Sequence, residues 1–299
     1  MRMIAPVAIG DAHLIASSLA EDEHAAWNAQ MTYAAEDRVI YKHAIYEAAK
    51  ESTGQNPEGD SQGNSQGNWI RLGATNRFKA FDVLLSDPAK ANTKMTFKLT
   101  IPSNVTAIAI INLKASSLRI EAINSVGEQV YLREISLVSA EAVFDWYSYF
   151  FSEFEMSNEV LLDDIPPYLN LTVTITLTGR AIEVGQIVLG TFDDLGSARY
   201  GTAVTFKDYS TKERDTFGNA IVVERSFADV VDFEFEVETA RVRQLRRKIA
   251  NRRAKPTVFY ATTDTLHYGT LVYGFAGQLH VALTGPKISN VTLDVEGLI

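Results

Sequence analysis

The side chains of this sequence that could do chemistry include five histidines and two pairs of adjacent aspartates, and the chain has no cysteine. No two histidines stand four residues apart on a helical pattern and no HExxH or HxH motif occurs, so the sequence predicts no metal site. The lack of cysteine excludes disulfides, thiolate zinc sites, iron–sulfur clusters and a cysteine nucleophile. The histidines are His13, His24, His43, His267 and His280.

The aspartate pairs are Asp163-Asp164 and Asp193-Asp194. A glycosidase holds two carboxylates about 5–10 Å apart, but they come from separate strands, so adjacency in sequence is weak support for such a site. Acids of turns and strand ends are the favoured interpretation. The sequence contains no GxSxG motif, no Walker loop and no GxGxxG motif that opens a helix. We therefore predict a protein that is not an enzyme and binds no cofactor.

A group of aromatic residues in the first quarter of the chain could bind sugar. Exposed aromatic faces stack on the C–H surfaces of sugars, whereas a small module also needs rings for its own core. We favour the core interpretation for Tyr33, Tyr41 and Tyr46 and leave both alternatives open for the two tryptophans. The candidate glycan-binding residues are Trp27, Tyr33, Tyr41, Tyr46 and Trp69.

One segment of the chain is strongly basic: residues 239–255 (TARVRQLRRKIANRRAK). It has eight basic residues and no acidic residue, so the rest of the chain has 20 basic and 37 acidic residues. Three partners are considered: nucleic acid, the acidic strand face of residues 232–238, and an acid-rich neighbouring subunit. Nucleic acid is the least favoured because the remaining net charge of -17 would repel phosphate. The candidate assembly residues are Arg241, Arg243, Arg246, Arg247, Lys248, Arg252 and Arg253.

Strand patterns dominate the elements that must position these residues. Residues 171–178 (LTVTITLT) and 232–238 (DFEFEVE) alternate apolar and polar side chains, which predicts strands with one face on a core. In the basic segment, Val242, Leu245 and Ile249 form a narrow stripe that predicts a helix lying across a sheet and ending at Pro256. Further predicted strands are residues 94–101, 105–113, 117–123, 130–137, 182–190, 220–224, 258–261, 270–275, 278–283 and 288–295.

The length of 299 residues predicts two or three folded units. A repeat-rich segment at residues 54–68 (GQNPEGDSQGNSQGN) and Gly196 suggest the boundaries of three blocks, residues 1–75, 76–195 and 196–299. The predicted fold class is mainly β: a small three-stranded carbohydrate-binding-like module, a β-sandwich, and a C-terminal β-rich α+β domain with one basic helix. We expect neither a secretory signal nor a membrane span, since no apolar run is long enough.

A set of aromatic residues and one proline runs in a fixed order through residues 25–73. In chain order it comprises Trp27, Tyr33, residues 37–41 (DRVIY), residues 45–48 (IYEA), Asn56-Pro57 and Trp69. This order resembles the chitin- and cellulose-binding modules of carbohydrate-binding families 5 and 12, which implies binding of a glycan. Glu36 stands where the family has glycine, and Ala49 and Lys50 stand where a sugar-stacking ring is expected. Such a module could also serve as a spacer or docking domain.

A second set of motifs covers most of the remaining chain. They are residues 69–82 (WIRLGATNRFKAFD), 145–154 (DWYSYFFSEF), 164–168 (DIPPY), 195–201 (LGSARYG), 209–213 (YSTKE), 215–219 (DTFGN) and 295–299 (VEGLI). They resemble a family of tailed-bacteriophage virion proteins. The resemblance implies a non-enzymatic component of the tail, baseplate or tail tip that is present in several copies, contacts other tail proteins and is assembled in the bacterial cytoplasm. The alternative is a glycan-binding adhesin that recognises host surface polysaccharide.

Overall fold

The computed structural model describes residues 1–60, 67–139, 155–214, 216–262 and 269–298. The protein is mainly β, with 54% strand, several antiparallel sheets that include a curled half-barrel, and one longer helical segment in the described part, the 14 residues 239–252. The mainly-β prediction is confirmed. The motif at residues 145–154, His267 and part of the repeat-rich segment lie outside the described residues.

Most secondary-structure elements of the described residues are strands. The strands are β1 (Arg2–Pro6), β2 (Leu14–Ser17), β3 (Thr32–Tyr33), β4 (Arg38–Tyr41), β5 (Ala44–Ala48), β6 (Ser52–Thr53), β7 (Trp69–Ala74), β8 (Ala89–Ala91), β9 (Lys94–Ile101), β10 (Ala107–Lys114), β11 (Ser117–Ile123), β12 (Gln129–Ser136), β13 (Val138–Ser139), β14 (Glu155–Met156), β15 (Glu159–Leu162), β16 (Leu171–Thr178), β17 (Ile182–Asp194), β18 (Ser197–Ala198), β19 (Ala203–Asp208), β20 (Thr211–Arg214), β21 (Ala220–Val223), β22 (Phe227–Glu238), β23 (Thr257–Tyr260), β24 (Val272–Ala282) and β25 (Ile288–Gly297). The helices are α1 (Pro57–Asp60) and α2 (Val242–Arg252), and 3-10 turns cover Lys79–Phe81 and Thr239–Arg241.

An 11-stranded sheet, hereafter the large sheet, organises the molecule in the order β15-β10-β17-β1-β23-β24-β25-β22-β18, with β19 also on β22 and β8 on β17. Strand β1 lies in its middle, between β17 and β23. It suits this place because Met3 packs into the core on one face and Ile4 into the core on the other. The large sheet thus joins strands from all three predicted blocks, and the block boundaries stay a prediction.

A five-stranded sheet, β12-β11-β16-β9-β2, packs against part of the large sheet through one hydrophobic cluster. The predicted alternation in β16 is confirmed. Leu171, Val173, Ile175 and Leu177 are fully buried in that cluster, and the threonines between them face the other way. Two runs predicted as separate strands, 270–275 and 278–283, form the single strand β24, which has an irregularity between Ala276 and Leu279.

Helix α2 packs on the other half of the same face of the large sheet, as predicted. Leu245 and Ile249 join a buried cluster with Phe233 and Phe235 of β22. The helix is shorter than predicted, because residues 239–241 form a 3-10 turn and residues 253–255 lie beyond its end. Its place on the sheet comes from apolar burial, since the two buried side chains repeat at helical spacing.

Residues 25–75 contain a three-stranded sheet, β4-β5-β7, and the short pair β3-β6. They have a hydrophobic cluster of their own, which includes Tyr33, Val39, Tyr46 and Trp69. A core this small depends on a few large side chains, because a short segment buries only a modest fraction of its surface.

Candidate interaction surfaces

The aromatic residues of the N-terminal module do not share one surface. Tyr33, Tyr46 and Trp69 are 7%, 5% and 2% exposed, respectively, and belong to the module core. The rings of Tyr33 and Trp69 meet edge to face with centroids 5.3 Å apart, and the indole Nε1–H of Trp69 donates to the Gln55 carbonyl at 3.1 Å. The geometry favours the core interpretation for these three rings, because a stacking ligand needs an open face.

Trp27 and Tyr41 are only partly buried, so they are the predicted sugar-contacting residues with surface still open. Their rings meet edge to face at 5.4 Å with an interplanar angle of 80°, and the Asn56 amide donates to the Tyr41 hydroxyl at 3.1 Å. The indole Nε1–H of Trp27 is buried and has no hydrogen-bond partner among the described residues. Two perpendicular rings can hold one sugar between a face and an edge, but they do not form a flat platform.

The position where the carbohydrate-binding families have glycine has a local explanation. Glu36 adopts φ 72°, in the left-handed region that glycine tolerates best. Its backbone N–H donates to the Ala48 carbonyl at 2.8 Å, and this bond ties the turn before β4 to the end of β5. The backbone of the turn therefore has the conformation that glycine favours, although the residue is a glutamate.

The aspartate pairs hold structural partners. Asp163 accepts hydrogen bonds from Arg2 at 2.5 Å and from the Tyr260 hydroxyl at 3.1 Å, inside the curl of the large sheet. Asp164 accepts from the Tyr131 hydroxyl at 2.5 Å and from Arg133 at 2.6 Å, which links the loop after β15 to the edge strand β12.

Burial opposes ionisation of Asp164, but the hydrogen bonds from Tyr131 and Arg133 outweigh it and lower the pKa of Asp164. In the other pair, Asp193 binds Lys248 at 2.6 Å and Asp194 accepts from the Gly196 backbone N–H at 3.0 Å. All four carboxylates thus have partners that fix neighbouring segments, in agreement with the turn and strand-end interpretation.

Glu159 is the carboxyl group with the most unusual environment. It lies on edge strand β15 beside the curl of the large sheet, and burial, together with the carboxylate of Asp229, raises its pKa to about 7. No sequence motif marks this residue. The shift depends on the curl of the large sheet, because β15 and β22 stand far apart in the strand order.

His43 is the histidine with the closest acidic neighbours. Its ring lies against Phe78, with 4.3 Å between centroids, and contacts Glu21 at 2.9 Å and Asp11 at 3.3 Å. Thr75 also donates to Glu21. This network connects the N-terminal module to the segment between β1 and β3.

The basic helix does not pair with the acidic strand as the simplest interpretation requires. Helix α2 covers the face of β22 that carries Phe233 and Phe235, so the alternating acids of residues 232–238 point to the opposite face of the sheet. Glu238, at the end of the strand, is the exception and pairs with Arg241 at 3.0 Å. The pairing interpretation is therefore wrong for the rest of the helix.

Most arginines of the helix consequently have no acidic partner among the residues that the structure describes. Lys248 reaches Asp193, as described above, while Arg243, Arg246, Arg247 and Arg253 are exposed and Arg252 is half-buried. Among the described residues, no carboxylate lies within 4.0 Å of Arg243, Arg246, Arg247, Arg252 or Arg253. The large sheet thus separates a basic helical surface from an acidic strand surface.

A groove lies beside the basic helix, with a volume of about 510 Å³. Its floor is apolar and its rim carries Arg246 and Arg253. The apolar side chains that line it are Val242, Ile249, Ala250, Ala276, Leu279, Val281 and Leu283. Leu283 is 71% exposed, so this apolar surface continues beyond the groove.

A two-stranded ribbon extends from the large sheet; the prediction of a strand at residues 220–224 is confirmed, whereas the other strands of the ribbon were not predicted. We name residues 203–227 the arm: β19 pairs with the start of β22, and the ribbon continues as the hairpin β20-β21. Almost every residue of the arm is exposed. The large apolar side chains that it exposes are Val204, Phe206, Tyr209, Phe217, Ile221, Val222, Val223 and Phe227.

The comparisons with known proteins find no match among family models, curated proteins or solved structures. Among the described residues, no three His, Cys, Asp or Glu side chains form a group that could hold a metal ion. No helix in the same part of the chain is long and apolar enough to cross a membrane. The family resemblances consequently stay expectations, and the surfaces described above carry the functional argument.

Proposed function

We propose that this chain is a non-enzymatic structural protein of a tailed-bacteriophage virion, located in the tail, baseplate or tail tip, where it acts as an assembly or adaptor component. The arm is the observation that carries this proposal. A ribbon that exposes so many apolar side chains is costly in a free monomer, and apolar patches of this size mark interaction sites. An isolated two-stranded hairpin is also only marginally stable in water, so a partner surface would stabilise it.

The basic helix supports the same proposal. Those arginines that have no acidic partner in the described part of the chain repel one another in an isolated subunit, and an acid-rich neighbour would remove that cost and select the register of the contact. Such a neighbour can be another copy or another tail protein. The two packed sheets and the separate aromatic core are in keeping with a β-sandwich and a carbohydrate-binding-like module within this assembly component.

The experiment is immunogold labelling of purified phage particles with antibody to this chain, together with mass spectrometry of the same particles. We expect gold at the tail or its tip and peptides of the chain in the particles. Particles that lack the protein would contradict the proposal. Labelling confined to the head would contradict the assigned place in the virion.

A glycan-binding adhesin is the second candidate, and the partly exposed pair Trp27 and Tyr41 favours it. Such a protein would bind host surface polysaccharide while attached to the virion. A glycan array probed with the full chain tests this function. Binding that is lost in Trp27→Ala and kept in a variant at an exposed site outside the module, Val126→Ser, would support it. An array without any bound glycan would contradict it.

A further inference from the structure

The arm and the groove lie on different strands of the large sheet, the arm on β19 and the start of β22 and the groove on β24 beside helix α2. The groove is level with Phe233 of β22, because Leu279 pairs with Leu293 and Leu293 pairs with Phe233. The arm leaves the sheet at the other end of β22, about 20 Å away at Phe227, by the rise of a strand. From there the ribbon continues through the hairpin β20-β21 to its turn at Gly218. The arm therefore begins away from the groove of its own chain.

The two surfaces also match in chemistry. The arm is apolar and its charged residues nearly balance, while the groove is apolar with a basic rim. Glu213 and Glu224 are exposed on the arm, and among the described residues no cation lies within 4.0 Å of either carboxylate. They can approach Arg246 and Arg253 of the rim, whose guanidinium groups have no acidic partner in the same part of the chain.

The available area is sufficient for a specific contact. The exposed parts of Phe206, Phe217 and Phe227 amount to about 330–550 Å², given 150–250 Å² for a whole aromatic side chain. Ile221 and Val222 add to this area. A standard interface buries about 800 Å² per partner, so the arm alone supplies a large share of one.

We infer that the arm of one copy of this chain docks in the groove beside helix α2 of a second copy. This inference rests on the proposed function, since it names the partner of an assembly component. The contact is head to tail, because the arm and the groove are different surfaces of one chain. Such contacts repeat from subunit to subunit and give a ring if the rotation closes, or a filament if it does not.

The test is the mass of the purified full chain in solution, measured by light scattering and analytical ultracentrifugation from low to high micromolar concentration. The arm variant is Phe206→Ser with Phe227→Ser, and the groove variant is Leu283→Asp; all three positions are at least 60% exposed, so the fold should survive. The matched control is Val126→Ser, an 81% exposed apolar residue far from both surfaces in the strand order.

We expect the wild type and the control to assemble, and each variant to lose self-association by at least about 100-fold in Kd. The decisive sample is an equimolar mixture of the two variants. The arm variant keeps an intact groove and the groove variant keeps an intact arm, so the mixture should form a heterodimer and no larger species. Circular dichroism and thermal unfolding confirm that both variants are folded.

Three results would overturn the inference: a wild type that is monomeric throughout, an arm variant that assembles like the wild type, or a mixture that gives no heterodimer. If the wild type is monomeric and its arm binds a different protein from disrupted particles, that protein is the partner of the arm, and the inference of docking between two copies is also overturned. The proposed function is judged separately by the presence of the chain in particles. A particle protein that is monomeric when purified contradicts only the inference, and a self-assembling protein absent from particles contradicts only the function.

Discussion

Replacement of Trp69 by alanine separates the core and sugar-binding roles of the aromatic module. The ring is 2% exposed, contacts Tyr33 edge to face and holds a hydrogen bond to Gln55. Trp→Ala substitutions in cores cost about 3–5 kcal/mol, which lowers the folding equilibrium constant by about two to four powers of ten. A module of about 50 residues has roughly 2.5–7.5 kcal/mol of stability in total, so Trp69→Ala should leave it largely unfolded or close to it.

The measurement is hydrogen–deuterium exchange of the full chain, read on peptides from β4, β5 and β7, with thermal unfolding alongside. We expect protection of these strands to fall sharply in Trp69→Ala while the large sheet keeps its protection. The matched control is Trp27→Ala, whose partly buried ring should cost only about 1–2 kcal/mol. Unchanged protection in Trp69→Ala would refute the core assignment. Weaker glycan binding with unchanged protection would restore the stacking role of this ring.

Three further predictions concern single positions. Glu36→Gly should stabilise the module by about 1 kcal/mol in denaturant unfolding, because glycine relieves the strain of the left-handed backbone conformation. The control Glu51→Gly, at a residue without positive φ, should not stabilise it. The pKa of Glu159 is raised from 4.5 to about 7, so the folded state binds a proton more tightly and the unfolding free energy should fall as pH rises from about 4.5 to 7. Glu159→Gln should remove this fall and raise the unfolding free energy at pH 8 by about 1–2 kcal/mol. A difference in unfolding free energy between the two proteins that does not change with pH would contradict this prediction. The double variant Arg246→Glu, Arg247→Glu should block incorporation of the protein into particles. Its melting temperature should stay within about 2 °C of the wild type, since both side chains are exposed and unpaired among the described residues. Particles that incorporate the variant normally would contradict the assembly role of the helix.

Local patterns predicted the elements whose burial repeats at a regular period. The alternation in residues 171–178 and the stripe of Leu245 and Ile249 each identify a buried face, because one packed surface sets both patterns. Strand β1 is different, since its place in the large sheet depends on partners that follow far along the chain. No window of neighbouring residues contains that information.

The candidate surfaces were predicted less completely. Sequence placed Trp69 among the aromatics of one module but left its exposure open, because exposure depends on which face of β7 it occupies. Ile221, Val222 and Val223 form an apolar run that normally predicts burial, yet all three are exposed in the arm. The composition of residues 239–255 identified the basic helix. Only the tertiary arrangement shows that the acidic side chains of β22 lie on the face of the sheet opposite to this helix.

The central position of β1 constrains the order in which this protein can fold. Residues 2–6 are synthesised well before their partners in β17 and β23, which lie at residues 190–194 and 258–260. The large sheet can therefore close only after residue 260 has been synthesised, and pairing over such sequence separations slows folding. Helix α2 packs on that sheet, so its basic surface and the groove beside it become complete late as well. Synthesis itself thus delays the appearance of the groove until the strands of the large sheet have been made, which limits premature association of partly made chains.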